Sequence, residues 1–392
     1  MNMASERLHR LVEFRRELHR HPELGFQEQE TARRVREQLN ALGVPYEADI
    51  AGTGIVAWLE GQANGAAVGL RADMDALPLE EHSGVPYGSE NPGRMHACGH
   101  DGHTTMLLGA IEELQAAGEL PGTVYFVFQP AEEGVGGGKA MVGAGVFDRY
   151  PMDEIYALHN WPGLPVGKFG LIPGAIMASG DRVDITIRGR GGHGGMNPHG
   201  TIDPVRIAAD LIQRAHTIVS REINPLQPAV LSICAVQSGD LAGFNVIPDK
   251  AVLSGTIRAL EPETGDRLRN SLRALCESLA QYYGAEIDLT IDDTFLVTIN
   301  DPEATELGRE VIRQQFGADT LQENHQPSMG SEDFSFMLAH CPGAYIHVGA
   351  RDDDHREALH SQAYDFNDRI IPTGVQLLAG LARESLARRA RP

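Results

Sequence analysis

Cysteine is scarce: the chain has four in 392 residues, at positions 98, 234, 276 and 341. So few and so scattered, they cannot form a small disulfide framework, and a reducing compartment fits them best. Positive charge is also short. There are 33 Lys and Arg against 54 Asp and Glu, a net charge of −21 with His neutral. A field of that sign repels phosphate backbones and anionic membranes, which excludes a general nucleic-acid binder. No window approaches the roughly 18 apolar residues that a bilayer-spanning helix needs. The opening MNMASERLHRLVEFRRELHR lacks an apolar h-region and a cleavage signal. A cytoplasmic protein binding neither membrane nor nucleic acid is the expectation. Apolar residues are plentiful, at 42%, so the charge does not signal disorder. The length exceeds what one core usually serves, so two domains are expected.

Leu8, Leu11, Val12 and Leu18 recur near helical spacing up to Pro22. A second helix is predicted from about Glu28 to Leu42, with Gly43 as its stop. Short apolar runs at 55–59, 67–70, 123–128 and 153–159 read as strands, and 104–117 reads as a helix. Alternating strands and helices predict an α/β domain whose polar clusters fall just after its strands, where open α/β sheets place ligands. Near residue 181 the pattern changes. Val183, Ile185 and Ile187 alternate with Asp184, Thr186 and Arg188, as in a half-exposed strand. The order strand–helix–strand–strand–helix–strand then predicts an α+β unit with an antiparallel sheet. Residues 181–295 are therefore expected to form a second domain inserted into a first made of 1–180 and 296–392, whose central sheet is mixed and mostly parallel. Ser331 is expected to cap a helix through Phe334.

The chemistry concentrates in a few places. His96-Ala97-Cys98-Gly99-His100-Asp101-Gly102-His103 packs three His, one Cys and one Asp into eight residues. The glycines permit a tight backbone, so Cys98 and His100 can face one centre. A thiolate and an imidazole suit Zn, Co, Ni or Fe better than Mg or Ca. Two other readings stay open on these residues alone: a small buried hydrophobe among capping histidines, and a nucleophilic cysteine. The nucleophile leaves the next motif, Glu132-Glu133, without a task. Adjacent acids beyond a buried strand are costly unless a cation or donor satisfies them, or unless they form a solvated turn. One acid can bind metal while its neighbour handles protons. His159 follows a third strand on the same rim, and His360 carries little signal alone. Asp73, beyond the strand ending near Leu70, suits a group that orients a ligand histidine or caps the strand. GVGGGK at 134–139 lacks the phosphate-loop spacing, and no HExxH occurs.

Taken together, HRHPELGFQEQET, RADMDALPLEE, MHACGHDGHTTMLLG, VFQPAEEGVGGGKAM, ALHNWP, GRGGHG, FNVIPD, GSEDFSFM and LHSQAYDFND resemble the M20 metallopeptidase family. The likeness is to its amidohydrolase branch, which includes hippurate hydrolases, N-acyl-amino-acid amidohydrolases and plant auxin-conjugate hydrolases. The segments run in order over nearly the whole chain. The resemblance implies two divalent metal ions per chain (Zn, Mn, Ni or Co) held by Cys98, His100, Glu133, His159 and His360, with Cys98 in place of a bridging carboxylate. It implies Glu132 as general base and Asp73 as the supporting aspartate. Arg71 stands where many relatives carry a ligand histidine, a role His100 is expected to cover.

It also implies a smaller lid domain that mediates assembly into a homodimer or homotetramer. His193 resembles the lid histidine that reaches a neighbouring subunit's active site, and Asn245 and Arg258 resemble groups that hold the substrate's carboxylate or carbonyl. The expected reaction is hydrolysis of an N-acyl-L-amino acid, with an acetyl, benzoyl or similar acyl group, to a carboxylate and a free amino acid. A dipeptidase or aminoacylase of the same superfamily is the alternative, and a catalytically inactive binding protein is the reading from another class.

Overall fold

The computed structural model describes residues 5–62 and 65–390. It divides into two compact units. One comprises the chain up to Ile176, Thr298–Gln326 and the chain from Asp333. The other comprises Met177–Val297 together with Pro327–Glu332.

The first unit is built on a seven-stranded sheet. Its spatial order is Tyr46–Ile50, Gly54–Leu59, Thr123–Gln129, Ala67–Asp73, Glu154–Pro165, Gly343–Arg351 and Phe169–Gly170. The sheet is mixed: the four strands from Thr123–Gln129 to Gly343–Arg351 run parallel to one another, and the flanking pairings are antiparallel. Val68, Leu70, Val124, Phe126, Phe128, Tyr156 and Ile346 are fully buried among the flanking helices. Near-continuous apolar runs are what parallel strands covered on both faces require. The helices Ser5–Arg20, His100–Ala116 and Ile371–Arg389 pack together. Helix Gln29–Leu42 buries Thr31, Ala32, Val35 and Leu39 at helical spacing. It stops at Gly43, whose φ of 67° lets its amide bond back to the last turn.

Three local expectations change. The third helix opens at His100, not Thr104, so His100, Asp101 and His103 sit in its first turn. The Asp153–His159 strand runs instead from Glu154 to Pro165, because Gly343–Arg351 pairs alongside it as far as Pro165. Ser331 is not a cap. The helix Phe334–Leu338 has Asp333 at the cap position with no side-chain cap bond.

The second unit carries a four-stranded antiparallel sheet in the order Ala229–Ser238, Lys250–Ala259, Ser179–Arg188 and Glu286–Phe295. Val183, Ile185 and Ile187 are fully buried on one face of the Ser179–Arg188 strand. They meet Ile207, Leu211 and Leu268, Leu272 from the helices Pro204–Glu222 and Pro262–Tyr283. Asp203 caps the first of these helices by accepting from the amides of Val205 and Arg206. This is the alternating strand pattern resolved into one packed and one open face.

Candidate metal centre

The parallel strands bring their ends to one rim. Asp73 ends its strand opposite Gln129, and His347 pairs with His159. Gly99 precedes the third helix at φ 93°. A Cβ there would lie 2.3 Å from Asn160 Oδ1, so only glycine lets the backbone turn while Cys98 and His100 face inward.

Cys98, His100, Glu132, Glu133, His159 and His360 come together at this rim. The ligand atoms of Cys98, His100 and His159 lie within 4.8 Å of one another, and those of Cys98, Glu133 and His360 do likewise. Cys98 belongs to both triplets. Its Sγ lies 3.4 Å from His159 Nε2. His159 Nδ1 is 2.7 Å from the carbonyl oxygen of Asn160. A carbonyl only accepts, so Nδ1 carries the hydrogen and the Nε2 lone pair faces Cys98. His360 Nε2 is 3.3 Å from Glu133 Oε1. Its backbone adopts φ 64°, and its amide donates to the carbonyl of Ala97. His100, Glu132 and Glu133 form a further group, with His100 Nε2 4.0 Å from Glu132 Oε2.

Asp73 lies fully buried behind these groups. Its Oδ1 is 2.6 Å from His103 Nδ1, and its Oδ2 accepts from Arg71 Nη1 at 2.7 Å. Arg71 also donates to Gln129 and Asp333. Arg71 is thus a fixed counter-ion to Asp73. Burial alone would raise the Asp73 pKa, but His100, His103 and Arg71 hold it well below the usual range.

The residues fit a divalent cation. His100 Nε2 is buried without a hydrogen-bond partner, an expensive state unless another partner satisfies it. Burial opposes charge on His100, yet Asp73, Asp75 and Glu133 outweigh it and lift its pKa to about 10. The site therefore attracts positive charge. One thiol, three imidazoles and a carboxylate suit borderline-soft ions. Burial, Glu133 and Glu132 push the Cys98 thiol well up. That disfavours a free thiolate nucleophile, whereas coordination to a cation deprotonates a thiol outright.

Sequence reasoning missed two members of the centre. Asp75 places Oδ1 3.2 Å from His100 Nδ1 and accepts the Glu133 amide on Oδ2 at 2.9 Å. His103 spans Asp73 and Asn160 Oδ1, each at 2.6 Å. Both lie inside the RADMDALPLEE and MHACGHDGHTTMLLG segments, where composition alone gives neither a partner. The register of His103 within the helix was the usable signal.

His193, Asn245 and Arg258 lie in the second unit. His193 Nδ1 accepts from the amides of Gly195 and Met196, each at 3.1 Å. With Nδ1 accepting, the ring hydrogen lies on Nε2, and the side chain is exposed at the surface. Asn245 accepts the Gly194 amide on its carbonyl and keeps its side chain exposed. Arg258 Nη1 donates to Ser331 Oγ at 3.0 Å, the contact Ser331 makes in place of a helix cap.

Comparisons with known proteins place the chain among metal-dependent hydrolases of one family. Residues 69–384 match the description Peptidase family M20/M25/M40. The chain is 40% identical to hippurate hydrolase of Campylobacter jejuni over 389 residues, 98% of this chain and 100% of that one. It is 38% identical to N-acetylcysteine deacetylase of Bacillus subtilis over 387 residues, 97% of this chain and 98% of the other. Among solved structures, a dinuclear metal binding peptidase of the M20 family from Bacillus subtilis superposes with a TM-score of 0.83 at 33% identity. That match covers 98% of this chain and 99% of its counterpart.

Proposed function

The chain belongs to the M20/M25/M40 peptidase family, and on that premise we propose that it cleaves the amide bond of N-acyl-L-amino acids. The observation that carries the reading is the sharing of Cys98 between two ligand triplets, with Glu132 beside them. In this reading Cys98, His100, Glu133, His159 and His360 hold two divalent ions, drawn from Zn, Mn, Co and Ni. Bound there, the ions supply Lewis acidity, acidifying water and drawing electron density from an amide carbonyl.

The chain's own groups do the rest. Glu132 Oε2 sits 4.0 Å from His100 Nε2 at the edge of the ligand cluster. It takes a proton from the attacking water and returns it to the leaving nitrogen. Asp73 stays ionised and, with Asp75, fixes the rings of His103 and His100. His193, with its Nε2–H available, donates to the developing oxyanion. Asn245 and Arg258 hold the substrate's carboxylate or carbonyl.

The inserted domain expected at residues 181–295, which falls within the second unit, takes the role of a lid and of the homodimer or homotetramer contact. Support comes from its edge strand Ala229–Ser238, where Val236 is exposed, and from the exposed Leu241, Phe244 and Val246. A cytoplasmic setting fits the four free cysteines. No helix among the described residues is long and apolar enough to cross a membrane.

The test is a hydrolysis panel of N-acetyl, N-benzoyl and indole-acetyl amino acids with simple dipeptides alongside, each against a chelated control. Chelator-sensitive release of amino acid from N-acyl substrates is expected. Activity on dipeptides alone moves the assignment to a peptidase. No activity on any of them after metal reconstitution refutes the reading.

A further inference from the structure

The opening motif HPELGFQEQET has no task in the reaction, yet one of its acids is fully buried. We propose that Glu28 is a positioning residue for Glu132, acting through the backbone amide of Ala131; the inference rests on the reading of Glu132 as the proton acceptor.

Glu28 stands at the cap position of helix Gln29–Leu42, but its side chain makes no cap bond. It turns away from its own helix. Oε1 accepts the Ala131 amide at 2.8 Å and Oε2 accepts the Thr53 hydroxyl at 2.7 Å. Each oxygen of the carboxylate therefore has its own donor, which fixes the plane of the group. Thr53 leads into the strand Gly54–Leu59, and that strand pairs with Thr123–Gln129, whose end leads into Ala131. The carboxylate thus ties the turn to the sheet it leaves.

The turn needs such a tie. Ala131 holds φ 53°, a left-handed conformation that side chains rarely adopt. It is closed by the Gly137 amide donating to the Ala131 carbonyl at 2.9 Å. Gly25, in the same opening motif, makes room for it: a Cβ there would meet Val135 Cγ2 at 2.7 Å and Ala131 Cβ at 3.0 Å. On the other side of Glu132, the Glu133 amide is held by Asp75. Two buried carboxylates from distant parts of the chain therefore hold the amides immediately before and after Glu132. A strained backbone fixed at both neighbours leaves Glu132 one direction for its side chain, and misplacement of such a group by an ångström costs rate rather than binding.

The test uses the full-length, metal-loaded protein with Glu28→Ala, Glu28→Gln and Thr53→Val. Steady-state kinetics on an N-acyl amino acid is paired with amide hydrogen exchange of the segment 129–138. Glu28→Ala is expected to lower kcat about 100-fold with KM within about 3-fold, and to speed exchange at Ala131 at least about 10-fold. Glu28→Gln keeps a carbonyl oxygen for the Ala131 amide, so it is expected to restore slow exchange and to bring kcat within about 3-fold of wild type. Thr53→Val, which leaves the carboxylate with one donor, is expected to fall between them and serves if Glu28→Ala does not fold.

Unchanged exchange at Ala131 in Glu28→Ala overturns the inference whatever the activity. So does wild-type kcat in that variant, or a folded Glu28→Gln as impaired as Glu28→Ala. Should the wild type cleave no N-acyl amino acid, the functional reading fails, and the exchange data alone decide whether Glu28 holds the turn.

Discussion

Asp75 Oδ1 lies 3.2 Å from Nδ1 of His100, while the other oxygen of the same carboxylate accepts the amide of Glu133. One buried acid thereby orients two of the residues assigned to the metals. A carboxylate partner fixes the tautomer of a ligand imidazole and raises its basicity. Asp75→Ala is expected to weaken metal affinity by about 10–100-fold with the fold retained. Competition against a chromogenic chelator measures it, and an unchanged affinity would remove Asp75 from the centre.

The four thiols are predicted to differ sharply in reactivity. Cys234 is exposed, whereas Cys98, Cys276 and Cys341 are buried. Burial pushes Cys276 up to about 11 and Cys341 up to about 12, so neither offers a thiolate near neutral pH. A colorimetric thiol reagent should label one cysteine rapidly in the native, metal-loaded protein and four after denaturation. Rapid labelling of a second thiol would contradict the packing around Cys276 or Cys341, or the engagement of Cys98.

Acid should destabilise the first unit through a buried histidine pair. His347 stacks on Trp161 with ring centroids 3.8 Å apart, and its Nδ1 lies 2.8 Å from His325 Nε2. Burial and then His325 hold His347 well below the usual histidine pKa, and burial lowers His325 too. On unfolding, both rings return to a pKa near 6.5, so below that pH the unfolded chain binds more protons. Stability from this pair is therefore full above about pH 6.5 and falls as the pH drops, by up to about 1.4 kcal/mol per pH unit for each proton. Urea unfolding of the chelated protein between pH 7 and 5 should show a steeper fall for wild type than for His347→Gln. Equal slopes would refute the assignment.

Motif chemistry made much of the site legible before any fold was known. Cys98 and His100 are two residues apart and Glu132 and Glu133 adjacent, so short-range spacing already paired thiol with imidazole and one carboxylate with the other. His159 was legible as a residue on the same rim, after a third strand, but its role as a ligand and that of His360 came only through the family resemblance, because their approach depends on strand pairing and on a left-handed backbone at His360. Asp75 and Glu28 were silent for the same reason: each acts on a backbone amide far along the chain, 58 and 103 residues away, and an amide has no sequence signature. The alternation of Val183, Ile185 and Ile187 exposed the open-faced sheet, since a strand with one packed face writes its period into the sequence. Ser331 misled because the cap rule reads only local residues, while its hydroxyl is taken by Arg258, 73 positions away.

The central claim is that Glu132 moves protons beside a metal centre it does not build. The direct measurement pairs metal content with turnover in Glu132→Ala. Wild-type metal content and a kcat on N-acyl amino acids lower by about 10³-fold are expected. Wild-type turnover in the metal-loaded variant would contradict the claim.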